Sequence, residues 1–260
     1  MKHLTSAIIV AAMLTFVSCT KGAGAEETSA SGNAKEELTL CGNVFLRGKV
    51  RSIVEDDDSM AFVYNSNRHV VGFVSFAGGK QTSECKYYST GNGVSQHYFD
   101  SNGKVTARDD IEYNENNDIT LCEYREYIYP DTTAMQLTEL VFNSYDKENR
   151  LESTFEYFCD GIPNYFSRYT YDTDGTATRH CYIASSGHIY SVAKSRCDSL
   201  GNIVEMSENM PGDSQEWYST AIEYKYDLHG NWVERKVIDR SSGDAAAVEV
   251  RKRKIYYLDE

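Results

Sequence analysis

The sequence predicts an all-β protein. It reads as an antiparallel meander of repeated β-hairpins forming a long twisted sheet, open or partly closed, with few or no helices apart from a signal peptide. Three observations predict this. The 260 residues include 20 Tyr and 10 Phe but only three Pro, a composition suited to pleated, half-buried surfaces. A turn motif, Asp or Asn followed three residues later by Gly or Asn, recurs along the chain at related spacings. No stretch sustains the 3.6-residue apolar period of an amphipathic helix.

The chain begins with an address. Lys2 and His3 precede the apolar run AIIVAAMLTFV at 7–17. Those eleven residues are too few to span a bilayer core of about 30 Å, which needs roughly 20, so they read as the core of a signal peptide. Phe16-Val17-Ser18-Cys19 resembles the lipobox of bacterial lipoproteins, with Phe16 where that family usually has Leu. The resemblance implies cleavage after residue 18 and a lipid on Cys19. Two other readings stand beside it: cleavage at Ala23-Gly24-Ala25 to give a soluble secreted protein, and an uncleaved short anchor. Residues 20–37 (TKGAGAEETSASGNAKEE) contain no aromatic or β-branched aliphatic residue and form a flexible tether. The division is therefore 1–18 signal peptide, 19–37 tether and 38–260 a single β-repeat domain. Thr20 after the Cys, in place of Asp, implies outer-membrane sorting in that family. The resemblance leaves open whether the protein faces the periplasm or the cell surface.

The turns set the order of the strands. The motif appears at Asn65, Asp100, Asn114, Asp146, Asp172, Asp198 and Asp227, usually after Tyr, with Gly103, Gly175, Gly201 and Gly230 closing four of the copies. From Asp146 the anchor recurs at intervals of 26, 26 and 29. An Asp or Asn side chain bonds backbone N–H groups two residues on. Gly or Asn three residues later accepts the left-handed conformation that closes a type I turn with a bulge. Second turns fall between the anchors, at Ser185-Ser186-Gly187-His188, Met210-Pro211-Gly212-Asp213 and Ser241-Ser242-Gly243-Asp244. Strands are expected at 38–46, 49–55, 60–64, 70–76, 81–88, 94–98, 105–113, 119–129, 135–145, 151–158, 165–171, 176–183, 189–196, 203–208, 217–226, 232–239 and 248–257. Alternation assigns faces in places. Leu151, Ser153, Phe155, Tyr157 and Cys159 share one face, with Glu152, Thr154 and Glu156 opposite. The run Arg251-Lys252-Arg253-Lys254 suits an exposed edge, because Lys and Arg discourage further pairing.

Tyr171-Asp172-Thr173-Asp174-Gly175 and Tyr226-Asp227-Leu228-His229-Gly230-Asn231 resemble YD repeats, the units of RHS-type proteins. The pattern covers about residues 64–239 and is similar to that of short lipoproteins of Bacteroidota. The resemblance implies hairpins laid side by side. In RHS toxins a far longer chain closes a shell around a toxic domain, for which this chain is too short.

Chemistry is sparse. The formal charge is −13, from 26 Lys and Arg against 39 Asp and Glu, which argues against nucleic acid as a partner. No GxSxG, HExxH, P-loop or GxGxxG motif occurs. His69, His97, His180, His188 and His229 are scattered without metal spacing, and neither a metal nor a cofactor is expected. Glu55-Asp56-Asp57-Asp58 and Asp172-Thr173-Asp174-Gly175 could attract calcium, but a solvated loop and a turn account for them. Beyond Cys19, six cysteines (Cys41, Cys85, Cys122, Cys159, Cys181, Cys197) permit 15 disulfide connectivities, or behave as small hydrophobes in strands. Trp217 and Trp232 flank the Asp227 turn at opposite ends of one hairpin. They pack in the sheet or form part of an aromatic surface that stacks on a ligand.

The reading is a lipid-anchored cell-envelope protein without catalysis. It serves as a binding or structural module for a protein or glycan partner. The alternatives are a hydrolase of envelope polymers using paired carboxylates, and a fragment or immunity partner related to RHS toxins.

Overall fold

The computed structural model describes residues 38–41, 44–116, 118–126, 135–158, 162–211, 217–241 and 248–258. Cys19, the leader, the tether and Cys159 lie outside them. The described residues form eighteen strands and no helix. A hairpin of β1 (Leu38–Cys41) and β2 (Val44–Arg47) stands apart. Then come β3 (Val50–Glu55), β4 (Asp58–Tyr64), β5 (Val70–Ala77), β6 (Lys80–Ser89), β7 (Gly93–Asp100) and β8 (Val105–Tyr113). They are followed by β9 (Ile119–Glu126), β10 (Gln136–Tyr145), β11 (Leu151–Phe158), β12 (Pro163–Tyr171) and β13 (Thr176–Ile183). The series ends with β14 (Ile189–Cys197), β15 (Ile203–Asn209), β16 (Tyr218–Tyr226), β17 (Trp232–Asp239) and β18 (Val248–Tyr257).

Each of β3 to β18 pairs antiparallel with its neighbours in sequence, and β18 also pairs with β3, so the sheet is a closed barrel of sixteen strands. This corrects the expectation of an open or partly closed sheet. The register Arg253↔Glu55, Lys254↔Val54, Ile255↔Ile53 joins the two end strands, and closure removes both edges. The expected edge run lies in the closing strand itself. Arg251 and Arg253 are half-buried, while Lys252 and Lys254 are exposed between them.

The register shows which face is inside. Paired residues share a face, and every buried hydrophobic residue of the barrel strands except Ala221 falls on one of the two: Val50, Phe62, Phe73, Cys85, Ile111, Val141, Leu151, Tyr169, Ala177, Cys181, Ala193 and Tyr257. That is the inner face. Sixteen strands about 4.8 Å apart make a perimeter of roughly 75 Å, so the apolar groups gather along stretches of wall. One cluster joins Leu46 of β2 to Val50, Phe62, Phe73, Cys85 and Tyr257, and another joins Leu151 to Tyr169, with Tyr145 and Tyr171 packed on it.

The outer face is built for water over much of the circumference. Arg108 meets Asp110 at 2.8 Å, Arg196 meets Glu205 at 3.2 Å, Lys236 meets Glu223 at 3.3 Å, and Glu234 takes both Lys225 at 2.7 Å and Lys252 at 3.3 Å. In a membrane-spanning barrel, a Lys or Arg facing lipid at mid-depth costs about 2–4 kcal/mol each. Ion pairs of this kind favour water over lipid on this part of the wall.

The recurrent turns explain the meander. In the Asn65, Asp100, Asn114, Asp146, Asp198 and Asp227 copies, one side-chain oxygen accepts N–H groups from two and four residues on, all at 2.9–3.0 Å. In the Asp172 copy, Asp174 takes the Thr176 N–H instead, at 2.9 Å. In the six copies whose fourth residue is described, that residue has positive φ: 84° at Gly175, 82° at Gly230, and 61° even at Arg68. All but one of these turns lie on the same rim, because an even number of strands separates them. Asp100 follows Asn65 by three strands and sits on the opposite rim. The slot it would have filled is taken by the turn Thr90–Gly93.

The Tyr before the anchor has its own task. At the ends of β4, β10 and β12, the Tyr64, Tyr145 and Tyr171 hydroxyls donate to the carbonyls of Val50, Ile119 and Leu151 at 2.6, 2.7 and 2.9 Å. Each acceptor is the first residue of the preceding strand. Tyr226 donates to Asp198, and Tyr257 to Asp227 at 2.5 Å. Tyr64, Tyr145, Tyr171 and Tyr226 thus tie their own turns to the neighbouring strand start or turn around the rim, and Tyr257 ties the end of β18 to the Asp227 turn.

Candidate functional site

The outer wall changes character between β9 and β14. Register carries one row across six strands: Leu121↔Phe142, Phe142↔Phe155, Phe155↔Phe166, Phe166↔Tyr182 and Tyr182↔Ile189. All six side chains are apolar or aromatic and point outward. Phe142, Phe155 and Ile189 are 42, 40 and 46% exposed. Phe155 and Phe166 stack with centroids 4.4 Å apart and planes 29° apart, and Phe166 and Tyr182 lie 6.2 Å apart at 25°. Three rings on β11, β12 and β13 thereby form a continuous aromatic stack. Tyr157 stands edge-on to Phe142 at 5.9 Å and 81°. At the end of the stack, Pro163 and the β13–β14 turn raise a lip, giving an open cup of about 480 Å³. That volume suits a small ligand.

Sequence alternation misses this site. It puts Phe155 and Tyr157 on the same face as Leu151. The register instead slips by one residue between Tyr145↔Leu151 and Ser144↔Ser153, leaving Glu152 as a bulge. Leu151 and Thr154 are buried inside, and Ser153, Phe155 and Tyr157 turn outward. The bulge moves the aromatic residues of β11 from core to surface.

The inner wall next to this region is acidic. Burial raises the Asp109 carboxyl to about 6, against the Tyr98 hydroxyl, which donates to Asp109 Oδ2 at 2.9 Å. Burial likewise raises Glu139 and Glu156, the latter helped by Glu139 and opposed by Arg179. Raised carboxylates are what a hydrolase would need. Asp109, however, is only 7% exposed, and its Oδ1 has no hydrogen-bond partner. A group so enclosed does not meet a substrate, and it reads as a buried inner-wall carboxyl whose charged form burial disfavours.

The other singled-out residues fall elsewhere. Asp100, Asn114, Asp146, Asp172, Asp198 and Asp227 with Gly103, Gly175, Gly201 and Gly230 all occupy rim turns. Trp217, just before β16, is 43% exposed, with Lys194 Nζ 5.7 Å from its ring. Trp232 opens β17 at the opposite rim, where Arg253 lies 3.6 Å from its ring centroid and donates to its carbonyl at 2.7 Å. The two tryptophans therefore form no common surface. Glu55 to Asp58 make the β3–β4 turn. Among the described residues, no three His, Cys, Asp or Glu side chains gather as metal ligands would. His229 stacks on Tyr257 at 3.9 Å, and His97 packs on Tyr88 at 4.7 Å. Cys85, Cys122 and Cys181 are free thiols, and Cys197 is disulfide-bonded.

No family model matches the chain, and no curated protein matches it. Solved structures do resemble it. A porin-like protein from Bacteroides uniformis is 14% identical, with 80% of this chain and 96% of that one covered and a TM-score of 0.49. A porin-like protein from Bacteroides vulgatus is 10% identical, over 82% of this chain and all of that one, with a TM-score of 0.36. The complex TcdB2-TccC3-Cdc42 matches 74% of this chain and 14% of the other at 10% identity and a TM-score of 0.19.

Proposed function

We propose that this protein is a non-catalytic, lipid-anchored binding module of a bacterial cell envelope, and that its partner is a glycan held on the outer aromatic stack. The observation that carries the reading is the stacked, outward-facing set Phe155, Phe166 and Tyr182. Exposed aromatic patches on a water-facing surface mark binding sites, and the stack lines an open cup whose apolar wall suits the C–H face of a sugar. The cup of about 480 Å³ matches a small ligand, whereas a stable protein interface buries about 1,200–2,000 Å². The charged wall on β14 to β18 does not extend the apolar surface towards that area.

The location rests on the leader. Its lipobox-like end at Cys19 and the tether to residue 37 suit an outer-membrane lipoprotein. The disulfide at Cys197 suits an oxidising compartment outside the cytoplasm. The outer ion pairs suit a barrel held in water at the end of a tether, with the lipid as its only membrane contact.

The test is a titration of the full-length protein with a panel of envelope saccharides, alongside Phe166→Ala and Tyr182→Ala. Saturable binding that both variants weaken by tenfold or more supports the reading. Capture of a protein through the same residues, or turnover of any saccharide that survives repurification, would overturn it. Metabolic labelling with palmitate, lost in Cys19→Ser, tests the anchor separately.

A further inference from the structure

We infer that the cup selects a sugar bearing a carboxylate, with Arg168 as its charge partner; this rests on the glycan reading above. Arg168 leaves β12 on the outer face, two residues from Phe166, and lines the cup. Its guanidinium carbon lies 5.3 Å from the Phe166 ring centroid, so the aromatic face steadies the charged plane while its N–H edges stay available.

The rest of the outer wall sets the contrast. Arg108, Arg125 and Arg196 each meet a carboxylate, those of Asp110, Glu123 and Glu205. Among the described residues, no carboxylate lies within ion-pair distance of Arg168. Its register partners are Ser153 on β11 and His180 on β13. An exposed guanidinium at the lip of an aromatic cup, with Ser153 and His180 rather than a carboxylate as its register neighbours, leaves a place for an acid from outside. The guanidinium fork matches a carboxylate through two parallel N–H···O bonds. A uronic acid supplies both parts at once, an apolar C–H face for the aromatic wall of the cup and a carboxylate for Arg168.

The experiment compares matched saccharides on the full-length protein by calorimetry: a glucuronate oligomer, the neutral glucose oligomer of the same length, and a sulfated glucose oligomer. The glucuronate oligomer is expected to bind about tenfold more tightly than the neutral one. Arg168→Gln removes that difference and leaves neutral binding within twofold, while Arg168→Lys keeps part of it. Phe166→Ala weakens both ligands. Because Arg168 is exposed, Arg168→Gln should melt at the wild-type temperature, which separates selectivity from folding. Equal binding of acidic and neutral oligomers, or preference for the sulfated one, overturns the carboxylate assignment and leaves the glycan reading standing. Binding of no saccharide overturns both.

Discussion

The side-chain amide of Asn231 grips the backbone of Arg47 in both directions. Its Oδ1 accepts the Arg47 N–H at 3.0 Å, and its Nδ2 donates to the Arg47 carbonyl at 2.8 Å. The same Nδ2 reaches the Tyr257 hydroxyl at 2.8 Å, and Asn231 is 6% exposed. One turn residue thus fastens the β1–β2 hairpin to the rim, 184 positions away in the chain.

Asn231→Ala leaves both Arg47 backbone groups without these partners. An unsatisfied buried polar group costs about 1–3 kcal/mol. We expect about 2 kcal/mol of destabilisation by urea denaturation, and faster hydrogen exchange at Leu46 and Arg47. Asn231→Asp should also destabilise, because a carboxylate has no N–H to donate to the Arg47 carbonyl.

Tyr171→Phe removes one hydroxyl and keeps the ring packed against Leu151. A typical net hydrogen bond contributes about 1 kcal/mol, and that is the loss expected in chemical denaturation. Tyr145→Phe should behave alike, since its hydroxyl meets the Ile119 carbonyl in the same way. A loss below about 0.3 kcal/mol in both would show that the rim ties are replaced by water.

Gly175→Ala tests the turn. Gly175 has φ 84°, and an added Cβ would meet nothing within 4 Å. The cost is therefore purely conformational, about 1–2 kcal/mol for a left-handed residue with a side chain. The expected readout is a lower denaturation midpoint with an unchanged slope.

Asp109 sets a pH dependence. Its folded pKa of about 6 lies above the usual carboxylate value, so the folded state holds the proton more tightly than the unfolded chain. The favourable contribution is complete below about pH 4 and is lost as pH rises through about 6. Glu139 and Glu156 are shifted the same way. Asp109→Asn should stabilise by about 3 kcal/mol at pH 8 and change little at pH 4. Equal effects of the variant at both pH values would refute the assignment.

Much of the fold was legible locally. Asp146 and Asp227 with their following residues carry their own turn chemistry, so strand positions followed from the spacing of such anchors. The split of 38–46 into β1 and β2 was not legible, because the local pattern there resembles one continuous strand. The face of Phe155 was misread because period-two alternation assumes an unbroken ladder, and the bulge at Glu152 breaks it. The aromatic row escaped for the same reason. Its members come from six strands, and nothing within any one strand records that Leu121, Phe142, Phe155, Phe166, Tyr182 and Ile189 fall in register.

The sequence by itself determined the elements: which segments are strands, and where Asp or Asn and a left-handed residue reverse the chain. Those features depend on groups within about five residues of one another. Tertiary structure decided that the meander closes, since pairing β18 with β3 joins residues some two hundred positions apart and depends on the accumulated twist of every strand between them. It also decided that Tyr64, Tyr145 and Tyr171 are rim ties rather than generic half-buried aromatics, and that Phe155, Phe166 and Tyr182 face outward beside Arg168. A side chain's face and neighbours depend on register, and register is set by pairing across the sheet.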